Sequence, residues 1–145
     1  MYHAIVARRT NAVWRRINER DVDAPWRMAD EQMRFTFVGD TPLRADLTGR
    51  DAFRDWLRGA FVRFPDLRFT VLDVAVAGGP QRTRVSVRLR IEATLVDGSR
   101  YENFATQWLT LRWGRMTEDW VLEDTAALSR ACVVQDGAPV SSGHD

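Results

Sequence analysis

The sequence predicts an α+β domain, and three observations predict it. Apolar residues recur at helical spacing through most of the first half, up to Phe64. From Arg84 the pattern changes to strict alternation: Val85, Val87, Leu89, Ile91, Ala93 and Leu95 alternate with Arg84, Ser86, Arg88, Arg90, Glu92 and Thr94. Two glycine turns, at Asp97-Gly98 and at Gly114, then connect long strands into an antiparallel meander. A sheet with one apolar face has to bury it, and the helices are there to cover it. The 145 residues suit one domain, expected over residues 1–132. The small, polar tail 133–145 is expected to be flexible.

The elements follow in order. Val6, Thr10, Val13, Trp14 and Ile17 form a helical stripe between Tyr2 and Glu19, and the acidic turn Asp21–Asp23 ends it. A short helix starts near Pro25, a residue suited to a first turn, and carries Trp26 and Met28. Met33, Phe35 and Phe37 alternate with Arg34 and Thr36 in a strand over residues 33–38. GDTPLRADLTG reads as a loop. Thr48-Gly-Arg-Asp51 matches a capping box for a helix with Phe53, Trp56, Leu57, Ala60, Phe61 and Phe64 on one stripe, which Pro65 stops. Strands follow over 67–77, 84–95, 101–113 and 116–124, and Thr125–Ala131 forms a last helical turn.

Composition removes several chemistries. The only histidines are His3 and His144, one at each end, so no interior histidine serves a Ser-His or Cys-His pair. No His/Cys cluster has zinc spacing and no glycine-rich phosphate loop occurs, so no metal or cofactor is expected. Cys132 is the single cysteine, which makes no intrachain disulfide. The start of the chain does not read as a secretory signal, and a cytoplasmic protein is expected. A net charge of +1 gives no field for nucleic acid, and no run approaches the ~18 apolar residues of a membrane span. Neither nucleic acid nor membrane is therefore an expected partner.

Register decides which side chains face inward, because a slip of one residue flips a strand. An odd-length turn at Asp97-Gly98 sets Val85–Ala93 opposite Tyr101, Asn103, Ala105, Gln107 and Leu109. A two-residue turn at Trp113-Gly114 pairs Leu111 with Met116, Gln107 with Trp120, Ala105 with Leu122 and Asn103 with Asp124. The expected inner face thus ends in Met116, Trp120, Leu122 and Asp124. Arg88, Arg90, Phe104, Trp108 and Glu123 are expected outside, where two exposed aromatics either mark a partner surface or are packed by the C-terminal segment.

TGRDAFRDWLRGAFVRFPDLRFTVLDV resembles the middle helix and following strand of SnoaL-like domains of the nuclear transport factor 2-like superfamily. YENFATQWLTLRWGRMTEDWVLEDTAAL resembles their last hairpin, and INERDVDAPWRMADEQMRF their first helix, acidic turn and second short helix. The resemblance spans about residues 5–128. It implies a cone-shaped, strongly curved antiparallel sheet wrapped by three N-terminal-half helices around a pocket. Members include polyketide cyclases, ketosteroid isomerases, epoxide hydrolases, dehydratases and binding domains, and many dimerise through the outer sheet face. A homodimer through Phe104 and Trp108 is what the resemblance implies here. The isomerase's Tyr and Asp fall near Val13 and Thr36, so that chemistry lacks its groups. Asp124 matches the late-strand Asp that cyclases use as acid or base.

Asp124 is therefore the candidate catalytic residue, with a cap of the following helical turn as the structural alternative. Trp14, Trp26, Phe37, Tyr101, Asn103, Gln107 and Trp120 are the candidate ligand-binding residues. The expected ligand is a small hydrophobic molecule, polycyclic or polyketide-like. The expected chemistry is cofactor-free cyclisation, isomerisation or dehydration. A non-catalytic ligand-binding or dimerisation domain of the same fold is the alternative.

Overall fold

A computed structural model describes residues 1–142. Its elements are α1 (Tyr2–Asn18), α2 (Asp23–Met28), β1 (Ala29–Phe37), β2 (Ala45–Thr48), α3 (Arg50–Arg63), β3 (Arg68–Gly79), β4 (Arg82–Thr94), β5 (Arg100–Arg112), β6 (Arg115–Glu123) and α4 (Thr125–Ser142). The α+β class stands: four helices pack on one curved, unclosed six-stranded sheet of order β2-β1-β6-β5-β4-β3. The sheet is not wholly antiparallel, because β1 runs parallel to β6. Among the described residues no helix is long and apolar enough to cross a membrane.

The β4–β5 register is the one the odd turn predicts. Val85 pairs with Leu109, Val87 with Gln107, Leu89 with Ala105, Ile91 with Asn103 and Ala93 with Tyr101. The turn closes with Gly98 at φ 86°, a conformation that costs glycine little. Bulges bend the sheet at two places. Leu72 is the extra residue between the Val71↔Leu89 and Asp73↔Arg88 pairs of β3 and β4. Thr117 is the extra residue between the Leu111↔Met116 and Thr110↔Glu118 pairs of β5 and β6. Such insertions sharpen twist and re-aim the side chains beyond them.

The helices close the concave face. The C-terminus of α1 is clamped to β3: Asn18 Nδ2 donates to the Phe69 carbonyl at 2.8 Å and Phe69 N–H donates to Asn18 Oδ1 at 2.9 Å. Trp14 packs on Phe69, with ring centroids 4.8 Å apart. On the other side Phe35 sits between Phe53 and Trp56 of α3, and Phe37 lies 5.0 Å from Trp56. The Trp56 indole N–H donates to the Leu43 carbonyl at 2.9 Å, so the ring packs while its polar atom is satisfied.

Several boundaries differ from expectation. Residues 45–48, expected in a loop, pair with β1 as a short edge strand. No capping box forms at α3: Gly49 is the N-cap, at φ 105°, without a side-chain cap. Its N–H donates to the Met33 carbonyl at 2.8 Å, and Thr48 stays in β2 opposite Arg34, one residue before the N-cap position. Asp51 instead accepts from the Trp26 indole N–H at 2.7 Å. The last helix does not stop at Ala131 but continues to Ser142. Its Gln135 is buried, accepting from Val96 N–H and donating to the Arg63 carbonyl, both at 2.7 Å. Helix α4 thus extends into the expected tail, whose residues 143–145 lie outside the described residues.

Trp26 packs away from the cavity. Its ring lies 3.9 Å from the Arg50 guanidinium and 4.7 Å from that of Arg54, both on α3, so it joins α2 to α3 rather than lining a pocket. Trp26→Ala removes two cation–π contacts and a charged hydrogen bond. It is expected to cost about 2 kcal/mol in chemical denaturation and to leave ligand affinity of the cavity unchanged.

Candidate functional site

The last strand carries the acids, and the Thr117 bulge decides where they point. Beyond it Leu109 pairs with Asp119, Trp108 with Trp120, Gln107 with Val121, Thr106 with Leu122 and Ala105 with Glu123. Asp119, Val121 and Glu123 therefore face the helices, and Trp120, Leu122 and Asp124 face out. The expected assignment is reversed for Trp120 and Asp124, because one inserted residue moves every later side chain to the opposite face.

The inner face and the helices enclose a cavity of about 90 Å³. Its walls are almost entirely apolar: Trp14 and Ile17 from α1, Phe35 and Phe37 from β1, Trp56 and Leu57 from α3, Leu89 and Ile91 from β4. The polar groups at its wall are Thr10, Gln107, Asp119 and Glu123. The Thr10 hydroxyl donates to the Val6 carbonyl at 2.9 Å within α1.

Asp119 is 3% exposed, between Phe35 on the parallel neighbour and Leu109 on the antiparallel one. Its Oδ1 accepts from Gln107 Nε2 at 3.1 Å, and Gln107 Oε1 accepts from the Trp14 indole N–H at 3.2 Å. The indole can only donate, so it fixes which end of the Gln107 amide faces the carboxylate. Oδ2 has no protein partner among the described residues, and the residue is part of the cavity wall. Burial raises the Asp119 pKa to about 7, with the Gln107 bond pulling it down and the nearby Glu118 charge pushing it up. A carboxyl poised there exchanges protons near neutral pH.

Glu123 sits two pairs further along the same face, roughly 13 Å away by strand rise. It belongs to a separate network. Its Oε1 accepts from the Tyr101 hydroxyl at 2.9 Å and from Asn103 Nδ2 at 3.2 Å. Asn103 Nδ2 also reaches the Tyr101 hydroxyl and the Asp124 carbonyl, at 2.7 and 3.0 Å, and its Oδ1 accepts from Phe104 N–H at 2.8 Å. Burial pushes Glu123 up to about 7 despite these bonds, and burial beside Glu123 raises the Tyr101 phenol. These bonds hold the end of β6 to β5, and they leave Tyr101 and Asn103 committed to protein partners.

Asp124 caps α4. Its Oδ1 accepts from Ala126 and Ala127 N–H at 3.1 and 3.3 Å, and its side chain is on the surface, away from the cavity. The structure thus places Trp14, Phe37 and Gln107 at the cavity wall. Tyr101 and Asn103 lie in the Glu123 network, Trp26 lies against α3, and Trp120 and Asp124 lie outside. Asp119 was not singled out by the sequence reading. Its signal is present but silent: a Thr in mid-strand gives no warning of a bulge.

A sequence profile of the SnoaL-like domain matches residues 10–119, and the chain belongs to that family. Solved structures with the same fold include Bal32a from a soil-derived mobile gene cassette, at 17% identity and TM-score 0.76, over 86% of this chain and 94% of that one. TerC, co-crystallised with polyporic acid, aligns at 17% identity and TM-score 0.74, over 87% and 96%. A protein of Jannaschia sp. CCS1, provisionally assigned as a SnoaL-like polyketide cyclase, aligns at 16% identity and TM-score 0.67, over 86% and 91%. No curated protein sequence is similar enough to count as a match.

Two measurements check this site. Asp124→Ala is expected to lose about 1 kcal/mol of stability as a cap truncation, with cavity binding unaltered. The two raised carboxyls make folding favour their protonated forms. Stability therefore falls as pH rises from about 4, where the unfolded acids ionise, to about 7, where the folded ones do. The fall for Asp119 alone is on the order of a few kcal/mol, and Asp119→Asn is expected to flatten that part of a ΔG-against-pH curve from denaturant titrations.

Proposed function

We propose that this SnoaL-like domain binds a neutral, hydrophobic carbonyl compound and moves a proton on it, with Asp119 as the acid–base group. The observation that carries the reading is a carboxylate in an apolar cavity with one oxygen fixed by Gln107 and the other free. Asp119 takes the role that the sequence reading gave to Asp124. In the ionised form Oδ2 removes a proton from carbon next to the carbonyl. The same oxygen then returns it to another carbon, or to the oxygen of a cyclised or dehydrating product. The second N–H of Gln107 Nε2 supplies a donor for the developing enolate oxygen. Among the described residues no Arg lines the cavity, which suits a neutral ligand.

Size limits the substrate. A cavity of about 90 Å³ is smaller than the ~150 Å³ void that admits benzene. A polycyclic or polyketide-like ligand therefore needs the half-buried walls, Trp14, Trp56 and Phe69, to swing outward. This observation also favours the second reading, a binding domain without turnover.

Deuterium exchange separates the two. Enolisable aromatic ketones are incubated with the protein in D2O, and loss of the α-proton is followed by NMR. Accelerated exchange that rises with pH to a plateau above about 7, and drops by 10²–10⁴-fold in Asp119→Asn, is the expected result. Binding of these ketones or of polyporic acid with exchange at the buffer rate would establish the non-catalytic reading instead.

We further propose a homodimer through the outer sheet face. Phe104 and Trp108 are 58% and 44% exposed, and Trp108 pairs across strands with Trp120, beside Leu122. Contiguous aromatic surface of this kind is typical of an interface core. Phe104→Arg with Trp108→Glu is expected to convert a dimer to a monomer in sedimentation.

A further inference from the structure

The net charge hides a segregation. Residues 1–18, 74–91 and 103–117 contain ten of the 21 arginines and none of the 20 acids. The fold brings the ends of these segments together. Trp113 N–H donates to the Pro80 carbonyl at 2.7 Å, joining the β5–β6 hairpin to the β3–β4 hairpin. The Tyr2 and Thr83 hydroxyls are 2.5 Å apart, and the His3 ring bonds the Gly78 carbonyl at 2.8 Å, so the start of α1 reaches the same end. Arg9 of α1 approaches the turn at Gly114. Arg9, Arg82, Arg84, Arg112 and Arg115 are all exposed, and none makes an ion pair among the described residues.

A tryptophan stands in the middle of this cationic end. Trp113 and Gly114 form the hairpin turn with φ values of 51° and 80°. Turns with both central φ positive favour Asn-Gly, and a bulky residue with positive φ is sterically strained. The strain holds a ring that is 73% exposed, so burial on folding does not offset it. Beside it Ile5 is 44% exposed, at the edge of an apolar cleft of about 200 Å³ walled by Tyr2, Val6 and Leu111.

We propose that this end docks on an anionic phospholipid bilayer, with Trp113 and Ile5 entering the interface and the arginines meeting lipid phosphates. An indole suits that boundary, because its ring is apolar and its N–H polar. Arginine stems lie along apolar surface while their heads reach the phosphate layer. Exposed aromatic, aliphatic and cationic groups at one end of the domain fit a fluid surface that moulds around them. A nucleic acid would use the same charges but gain nothing from Ile5. No spanning segment is needed for such contact, so it revises the expectation of no membrane partner for the surface alone. Thr10 and Met28 line both this cleft and the inner cavity, which places the docking end one side-chain layer from the ligand site.

The test sediments the full chain with vesicles of phosphatidylcholine alone and of phosphatidylcholine mixed equally with phosphatidylglycerol. Binding is expected only to the mixed vesicles, and it weakens as salt is raised. Arg112→Gln with Arg115→Gln is expected to lower partitioning by about 25-fold, roughly fivefold per charge. Trp113→Asn is expected to raise the melting temperature, by relieving the turn, and to lower partitioning at least tenfold. A stabilised Trp113→Asn that still binds as wild type would overturn the proposal. So would equal binding to neutral vesicles, or no binding at low salt. Loss of heparin binding in the arginine variant with no vesicle binding in any form would assign the surface to another polyanion and also overturn it.

Discussion

One inserted residue in β6 governs the interior chemistry of this domain. Thr117 has no partner of its own across the β5–β6 ladder, and its hydroxyl donates to the Thr110 carbonyl at 3.3 Å. Everything after it rotates by one position. Asp119 and Glu123 turn inward, and Trp120, Leu122 and Asp124 turn outward. The bulge also adds twist where β6 accepts β1 as a parallel neighbour, which brings Phe35 alongside Asp119. The identity of the buried acid, its apolar surroundings and the aromatic outer face all follow from that insertion.

Burying carboxyls is costly unless they are hydrogen-bonded or neutralised, and the two inner acids meet that cost differently. One oxygen of Glu123 accepts from both Tyr101 and Asn103, and those bonds tie the strand end to its neighbour just before α4 begins. Asp119 receives one bond, from an amide whose orientation is set by the Trp14 indole on α1. The helix clamp at Asn18–Phe69 thus contributes to the site at a distance, because it holds the face of α1 that carries Trp14. Each acid keeps one oxygen without a protein partner among the described residues, but only Asp119 has its other oxygen held by an amide that α1 orients.

The helices shape the remaining space. Trp14 packs on Phe69, and Trp56 packs on Phe35 and Phe37, so large rings from α1 and α3 make the cavity walls. Each indole has its N–H engaged, at Gln107 and at the Leu43 carbonyl. The rings are therefore positioned by a polar contact as well as by packing. Because both remain half-buried, the walls nearest the surface are the ones able to yield to a larger ligand.

Much of the architecture was legible in the sequence because it rests on periodicity. The stripes of α1 and α3, the alternation of β4 and the odd turn at Gly98 each reflect local rules, and the β4–β5 register followed from them. The last strand was not legible. Its unbulged register buries Met116, Trp120 and Leu122, which is the more hydrophobic choice. Both registers also bury two acids, so the cost of buried charge does not arbitrate between them. The capping box at Thr48 failed for a similar reason, since pairing of Gly49 with Met33 outweighed a local cap. The sequence by itself determined the helical stripes, the alternating strands and the α+β class, because spacing and residue type act over a few neighbours, and the resemblance of whole segments gave the family. The tertiary structure alone decided that Asp119 and Glu123 are the inner acids and that Trp113 stands among arginines without ion pairs among the described residues. Both depend on strand insertion and on the meeting of distant hairpins, which no local pattern encodes.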